Sequence, residues 1–250
     1  MTTYGALCAL FYDADKPQAP DAEVAWYASR LPRDAGPLLE PMCGSGRLLL
    51  PLLRQGFGIH GVDTSAAMLA QCEARLAAAG LTAPLFRQDI AALNLPFRYA
   101  AAFVAAGSLQ LLAGQGGAQA ALERIRAHLV PPGVLLLDLF VPGGAVHPPG
   151  APVVEVRTVT LADASRIVLR SETFVDVDSR RLEMRCRYER RAGTTHLARE
   201  DEVIDLTWYE EDDIVALLRD AGYHDIAVEP SPLSAASDGD ERRFAVTARG

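Results

Sequence analysis

LLEPMCGSGRLLLPLL, Leu38 to Leu53, sets a carboxylate, a glycine-rich bend and a run of leucines in immediate succession. The apolar residues before the bend have the length of a buried strand, and those after it suit the first turns of a helix. Gly44-Ser45-Gly46 then reads as the turn between them. Such a turn lets a ligand approach the backbone, and the helix start offers free N–H groups. Alone it is a weak sign, because tight strand-to-helix turns use glycine for steric reasons. Its meaning depends on what the neighbouring segments supply.

From about residue 37 to 141, short apolar runs alternate with longer amphipathic ones, the pattern of a βαβ series. The strands expected are PLLEPM, FGIHGV, APLFRQ, AAFVAA and GVLLLDLF. The helices expected are Arg47 to Gln55, Ser65 to Ala79 and Gly117 to Leu129, with Ser65 as N-cap and Gly80 as stop for the second. Doubly wound sheets bind ligands at the carboxyl ends of their strands. There the second strand offers Asp63, with Thr64 and Ser65 opening the next helix, where a carboxylate would accept two ribose hydroxyls. Gln88-Asp89-Ile90 follows the third strand, a carboxylate and an apolar residue suited to an adenine amino group and ring face. Ala106-Gly107-Ser108 ends the fourth. Each has an ordinary explanation: a turn or cap at Asp63, a solvated loop at Asp89, a strand end at Gly107. Their occurrence at successive strand ends points to a nucleoside site.

Two residues narrow the ligand. Leu49 stands where a dinucleotide fold would place its third glycine, which argues against NAD. Glu40 would be awkward beside a pyrophosphate and suits an ammonium or sulfonium group.

On EPMCGSGR, GVDTSAAML, QDI, AAGSLQLL and LVPPGVLLLDLF the chain resembles the class I S-adenosylmethionine-dependent methyltransferases of small-molecule type, over roughly Tyr12 to Phe140 and again from Trp208 onward. The resemblance implies an α/β, Rossmann-like doubly wound seven-stranded sheet ordered 3-2-1-4-5-7-6, strand 7 antiparallel, with HDIAVEP and RRFAVTA as its last strands. It implies S-adenosyl-L-methionine as cofactor and S-adenosyl-L-homocysteine as product. Glu40 and the backbone of Met42, Cys43, Gly44, Ser45 and Gly46 would surround the methionine moiety, and Asp63 would bind the ribose. Thr64 or Met68 would lie near the adenosine, and Asp89 with Ile90 would hold the adenine. Ala106 and Gly107 would offer carbonyls to the amino group, beside Ser108. Phe11-Tyr12-Asp13 matches a segment that folds over the cofactor in related enzymes, which makes Tyr12 a catalytic candidate. The expected reaction is methyl transfer by in-line displacement to nitrogen or oxygen of a small molecule. For this the enzyme mainly aligns the nucleophile, at about 3 to 3.5 Å, and excludes water.

After VPGGAVHPPGAP the texture becomes alternating and charge-laced: VVEVRTVTL, SRIVLRSETFVDV, RLEMRCRYERR and HLAREDEVIDL. These predict antiparallel strands with one wetter face. One domain is expected: a helical lid segment (1–36), a cofactor-binding core (37–150), an inserted antiparallel β cap over the substrate (151–206), and a C-terminal helix with two strands (207–250). Arg157, Arg170, Arg185 and Arg187 in the cap stand near acids and read as a solvated face rather than an anion site. The inserted block is also where a homodimer would form. Thr207 with Glu210 matches a capping box opening the last helix. PSPLSAASDGDE is the one loose segment.

Composition limits the partners. Half the residues are hydrophobic, 22% are charged and the net charge is −8, a folded acidic chain that argues against nucleic acid as partner. Cys8, Cys43, Cys72 and Cys186 form no CxxC pair, so neither a disulfide framework nor a metal site is expected. No segment reads as signal peptide or membrane span, and a cytoplasmic setting follows. His147, in the loop after the fifth strand, is the first candidate for a general base, set against plain exposure. His128 would complement a helix dipole, and His196 and His224 read as surface residues. Gly107-Ser108-Leu109-Gln110 replaces the [Asp/Asn/Ser]-Pro-Pro-aromatic motif of base N-methylating enzymes, which disfavours that substrate. Two other readings stand: a non-catalytic S-adenosylmethionine or nucleoside sensor or scaffold, and a methyltransferase for peptide or protein ends.

Overall fold

The computed structural model describes residues 4–112, 114, 116–143, 151–231, 233 and 241–250. His147 and most of PSPLSAASDGDE lie outside the described residues.

In chain order the strands are β1 (Leu38–Pro41), β2 (Ile59–Asp63), β3 (Leu85–Arg87), β4 (Tyr99–Val104), β5 (Leu129–Val141), β6 (Val153–Thr160), β7 (Arg166–Asp176), β8 (Arg181–Ala192), β9 (Thr195–Thr207), β10 (His224–Pro230) and β11 (Arg242–Arg249). The helices are α1 (Ala6–Asp15), α2 (Asp21–Arg30), α3 (Leu49–Arg54), α4 (Ala66–Ala78), α5 (Gly117–His128) and α6 (Glu211–Asp220).

Seven strands pair in the order β10-β11-β5-β4-β1-β2-β3. β1 to β5 run parallel where they touch, whereas β11 is antiparallel to both neighbours. This is the expected order 3-2-1-4-5-7-6. Every residue of β4, YAAAFV, is buried, as a central parallel strand covered on both faces requires. One face packs with α5 and α6 through Leu122, Ile125, Ile214 and Leu218. The other packs with α2 and α3 through Tyr27, Leu49 and Leu52, and with α4 through Leu69 and Cys72.

β6 to β9 form a separate antiparallel sheet, in chain order. Its inner face meets α1: Leu7, Cys8 and Phe11 pack on Ile167, Leu169, Cys186, Tyr188 and Ile204. Its outer face is charged, and Arg185 with Glu183 and Arg187 with Asp201 pair there at 2.7 Å. Arg170 pairs with Glu172. Arg157 departs from the expected solvated face by reaching Asp15 of α1 at 2.9 Å.

Two local expectations are corrected, and a third gains detail. The capping box of α6 is not Thr207 with Glu210, because Thr207 still pairs with Arg181 at the end of β9. Glu210 is itself the N-cap, and its backbone N–H donates to Asp213 at 2.9 Å. α3 begins at Leu49 rather than Arg47, since the bend continues in turns through Leu48. His128 accepts the Leu95 N–H at Nε2 (3.0 Å), so that nitrogen carries no proton, and Nδ1 donates to the Arg124 carbonyl at 2.7 Å. It ties a loop to the last turn of α5, where the expectation placed it.

Candidate active site

A cavity of about 320 Å³ opens at the carboxyl ends of β1, β2 and β4. Of the residues expected from sequence, Tyr12, Glu40, Met42, Cys43, Gly44, Asp63, Thr64, Met68, Asp89, Ile90, Ala106 and Ser108 line it. Ser45, Gly46 and Gly107 are not among its lining. Ser45 is fully buried behind the bend, where its carbonyl accepts from Arg75 at 3.0 Å. A Cβ on Gly46 would meet the Cys72 sulfur at 2.7 Å, so this glycine serves close packing of the bend on α4. Gly107 faces the Phe140 ring, 2.7 Å from where its Cβ would stand.

Asp63 organises the bend before any ligand arrives. Its Oδ2 accepts the Gly44 N–H at 2.9 Å and its Oδ1 accepts the Ser65 N–H at 2.8 Å. Gly44 presents that N–H at φ +54°, a left-handed conformation that costs glycine little. Burial pushes the Asp63 carboxyl above the ordinary range, and backbone donors at Ser65, Gly44 and Thr64 pull it back. Asp89 differs: its Oδ1 caps the short turn after β3 by accepting the Ala91 N–H at 2.9 Å, while Ile90 is buried.

Glu40 is a buried charge-bearing group in the site. It is 4% exposed, and its Oε2 is buried with no hydrogen-bond partner. Burial drives its carboxyl well above the ordinary range, partly offset by the cation of Arg47. A buried carboxylate without a donor is rare in a folded protein and marks a place for one.

Among the lining residues that the sequence reading did not place in the site are Tyr4, Arg47, Leu111 and Asp205. Arg47 is the second residue of a buried pair, bound by Glu23 of α2 through two bonds of 2.6 and 2.7 Å. Burial opposes its charge, but Glu23, Tyr12 and Glu40 together hold it above its ordinary value. Arg47 was visible in EPMCGSGR, yet nothing local to it names Glu23 as partner. Tyr4 and Asp205 come from the N-terminal segment and from β9, far from every motif.

Tyr12 lies in the cavity beside Arg47, and burial raises its phenol, against the opposing pull of that cation. At neutral pH it is a hydrogen-bond donor, not a base. No histidine lines the cavity among the described residues.

Residues 38–133 match the family model for a methyltransferase domain. A dTDP-3-amino-3,6-dideoxy-alpha-D-glucopyranose N,N-dimethyltransferase from Streptomyces fradiae is 35% identical over 118 residues, which is 47% of this chain and 44% of that protein. The chain spans about half the length of the curated relatives it matches. Among solved structures, an S-adenosylmethionine-dependent methyltransferase from Clostridium acetobutylicum superposes with TM-score 0.73 at 18% identity, covering 96% of each chain. A sugar N-methyltransferase from a Streptoalloteichus species gives 0.72 at 23% identity, covering 100% of this chain and 97% of that one. These structural likenesses concern the fold.

The residues fit the cofactor of that family. The orphaned Glu40 Oε2 suits an ammonium group, Asp63 suits vicinal hydroxyls, and buried Ile90 suits a ring face. Residues 38–133 thus form a methyltransferase domain, and the fold of the chain is similar to that of S-adenosylmethionine-dependent methyltransferases of known structure.

Proposed function

We propose that the protein methylates the nitrogen of an amine on a small polar molecule, with S-adenosylmethionine as donor and an amino sugar as the acceptor class. The observation that carries this reading is the cavity itself. It brings together a buried, unpartnered carboxyl oxygen of Glu40 and Asp89 with Ile90, with Tyr4, Tyr12 and Asp205 added from outside the core. Enclosure by the lid helix and the inserted sheet favours a small acceptor over a polypeptide end. The choice of nitrogen, and of a sugar, comes from the similar enzymes named above.

The bound cofactor would supply a methyl group on a sulfonium, already a good leaving group. Glu40 would hold its ammonium, Asp63 its ribose, and Asp89 with Ile90 its adenine. Tyr12 and the β9 edge would exclude water and set the acceptor's approach, which is most of what this chemistry asks of a protein. Tyr12 acts in this reading as a positioning donor. The compartment is taken as the cytoplasm, which suits four free, buried cysteines. No described helix is long and apolar enough to cross a membrane. The outer face of the β6–β9 sheet, where Val154, Val156 and Val203 stand exposed among the ion pairs, is proposed as the contact for a second copy.

The test is turnover. Formation of S-adenosylhomocysteine would be followed with free and nucleotide-linked amino sugars and with their hydroxyl counterparts. Turnover with amines alone supports the reading, and turnover with hydroxyls alone moves the reaction to oxygen. Tight cofactor binding without turnover on any acceptor favours the sensor alternative.

A further inference from the structure

We infer that Tyr4 is a cofactor-binding residue, held over the nucleoside end of the cavity by a strap that Glu200 and Glu202 latch to helix α1. The inference rests on the cofactor reading above. Tyr4 lines the cavity together with Asp63, Thr64 and Met68. Its backbone has φ +70°, a conformation a non-glycine residue keeps only when its surroundings enforce it. Two attachments do so.

On the core side, the Ser65 hydroxyl donates to the Tyr4 carbonyl at 2.6 Å and accepts the Met68 N–H at 3.1 Å. One hydroxyl therefore caps α4 and fastens the strap two residues from the ribose carboxylate. On the other side, α1 begins with no side-chain cap of its own. Its amides are taken by carboxylates of β9 instead. Glu200 accepts the Leu7 and Cys8 N–H groups at 3.1 and 2.9 Å, and Glu202 accepts the Gly5 N–H. Gly5 makes room for this, since a Cβ there would stand 2.6 Å from the Glu200 carboxylate. The strap thus joins the core, over the nucleoside end, to the sheet that faces the acceptor. On this inference the strap opens when the ligand enters or leaves.

The experiment measures S-adenosylhomocysteine affinity by calorimetry and its dissociation rate by rapid displacement, on the full chain. Tyr4→Ala should weaken binding about tenfold, chiefly through faster dissociation, while Tyr4→Phe, which keeps the ring, stays near the wild type. Glu200→Gln with Glu202→Gln should speed both association and dissociation, with a smaller change in affinity. Should that double variant fold poorly, the Tyr4 pair decides, with a thermal melt showing that Tyr4→Ala, which also loses packing against the cluster between α1 and the inserted sheet, still folds. Wild-type affinity and dissociation rate in Tyr4→Ala would overturn the inference alone. Absence of binding in the wild type would overturn the cofactor reading and this inference with it.

Discussion

Around the cofactor cavity, Glu23, Glu40 and Asp138 are 0, 4 and 2% exposed, whereas on the outer face of the inserted sheet Glu172, Glu189 and Asp201 stand in water beside arginines. Burial raises the carboxyls of Glu40 and Asp138. Bonds from arginine lower those of Glu172, Glu189 and Asp201. The same residue types therefore do opposite work. Inside, each charge is costly and is kept for a partner or a ligand. Outside, in a single copy of the chain, each pair is screened by water.

The comparison breaks most visibly at Glu23. Glu23→Ala leaves Arg47 buried without its two-bond partner, and chemical denaturation should show a loss of about 3 to 4 kcal/mol. A loss near zero would mean that the buried pair behaves like a surface one. Asp63→Ala comes next: it removes both backbone anchors and the proposed ribose acceptor, so S-adenosylhomocysteine should bind about a hundredfold more weakly, near 2.7 kcal/mol by calorimetry.

Asp138 sharpens the contrast through pH. Burial pushes its carboxyl up to about 6, with the Ser231 hydroxyl and Arg243 pulling it back. The folded state then holds this proton more tightly than the unfolded chain, whose aspartates titrate near 3.9. Its contribution is present in acid and is lost as pH rises from about 4 to about 6. Unfolding free energies from urea denaturation across that window should fall by about 2 kcal/mol more in the wild type than in Asp138→Asn. The smallest effect belongs to the outer face. Arg187→Ala breaks the pair with Asp201 and should leave the melting temperature within error, and a drop of several degrees would contradict the screened picture.

The parallel sheet was legible because strand length, helix period and turn residues are local signals, and they recur from Leu38 to Phe140. Asp63 was legible because its place at a strand end implies where its carboxylate sits. The capping box was misread because T-x-x-E is also local, and only the pairing of Thr207 with Arg181 extends β9 past it. Ser45 was placed in the site by its motif, yet the bend turns it inward toward Arg75. Tyr4 and Asp205 gave no signal, since nothing within their own segments refers to the cavity.

By itself the order of residues determined the frame: seven core strands, the bend after Glu40, the carboxylates at successive strand ends, and an alternating block inserted before the last helix. These follow from periodicities of two and of 3.6 that neighbouring residues carry. Only the tertiary structure decided which of those groups are dear. Glu40 lacks a donor, Arg47 owes its charge to Glu23, and α1 takes its caps from β9, because burial and pairing depend on segments that the chain brings together from far apart.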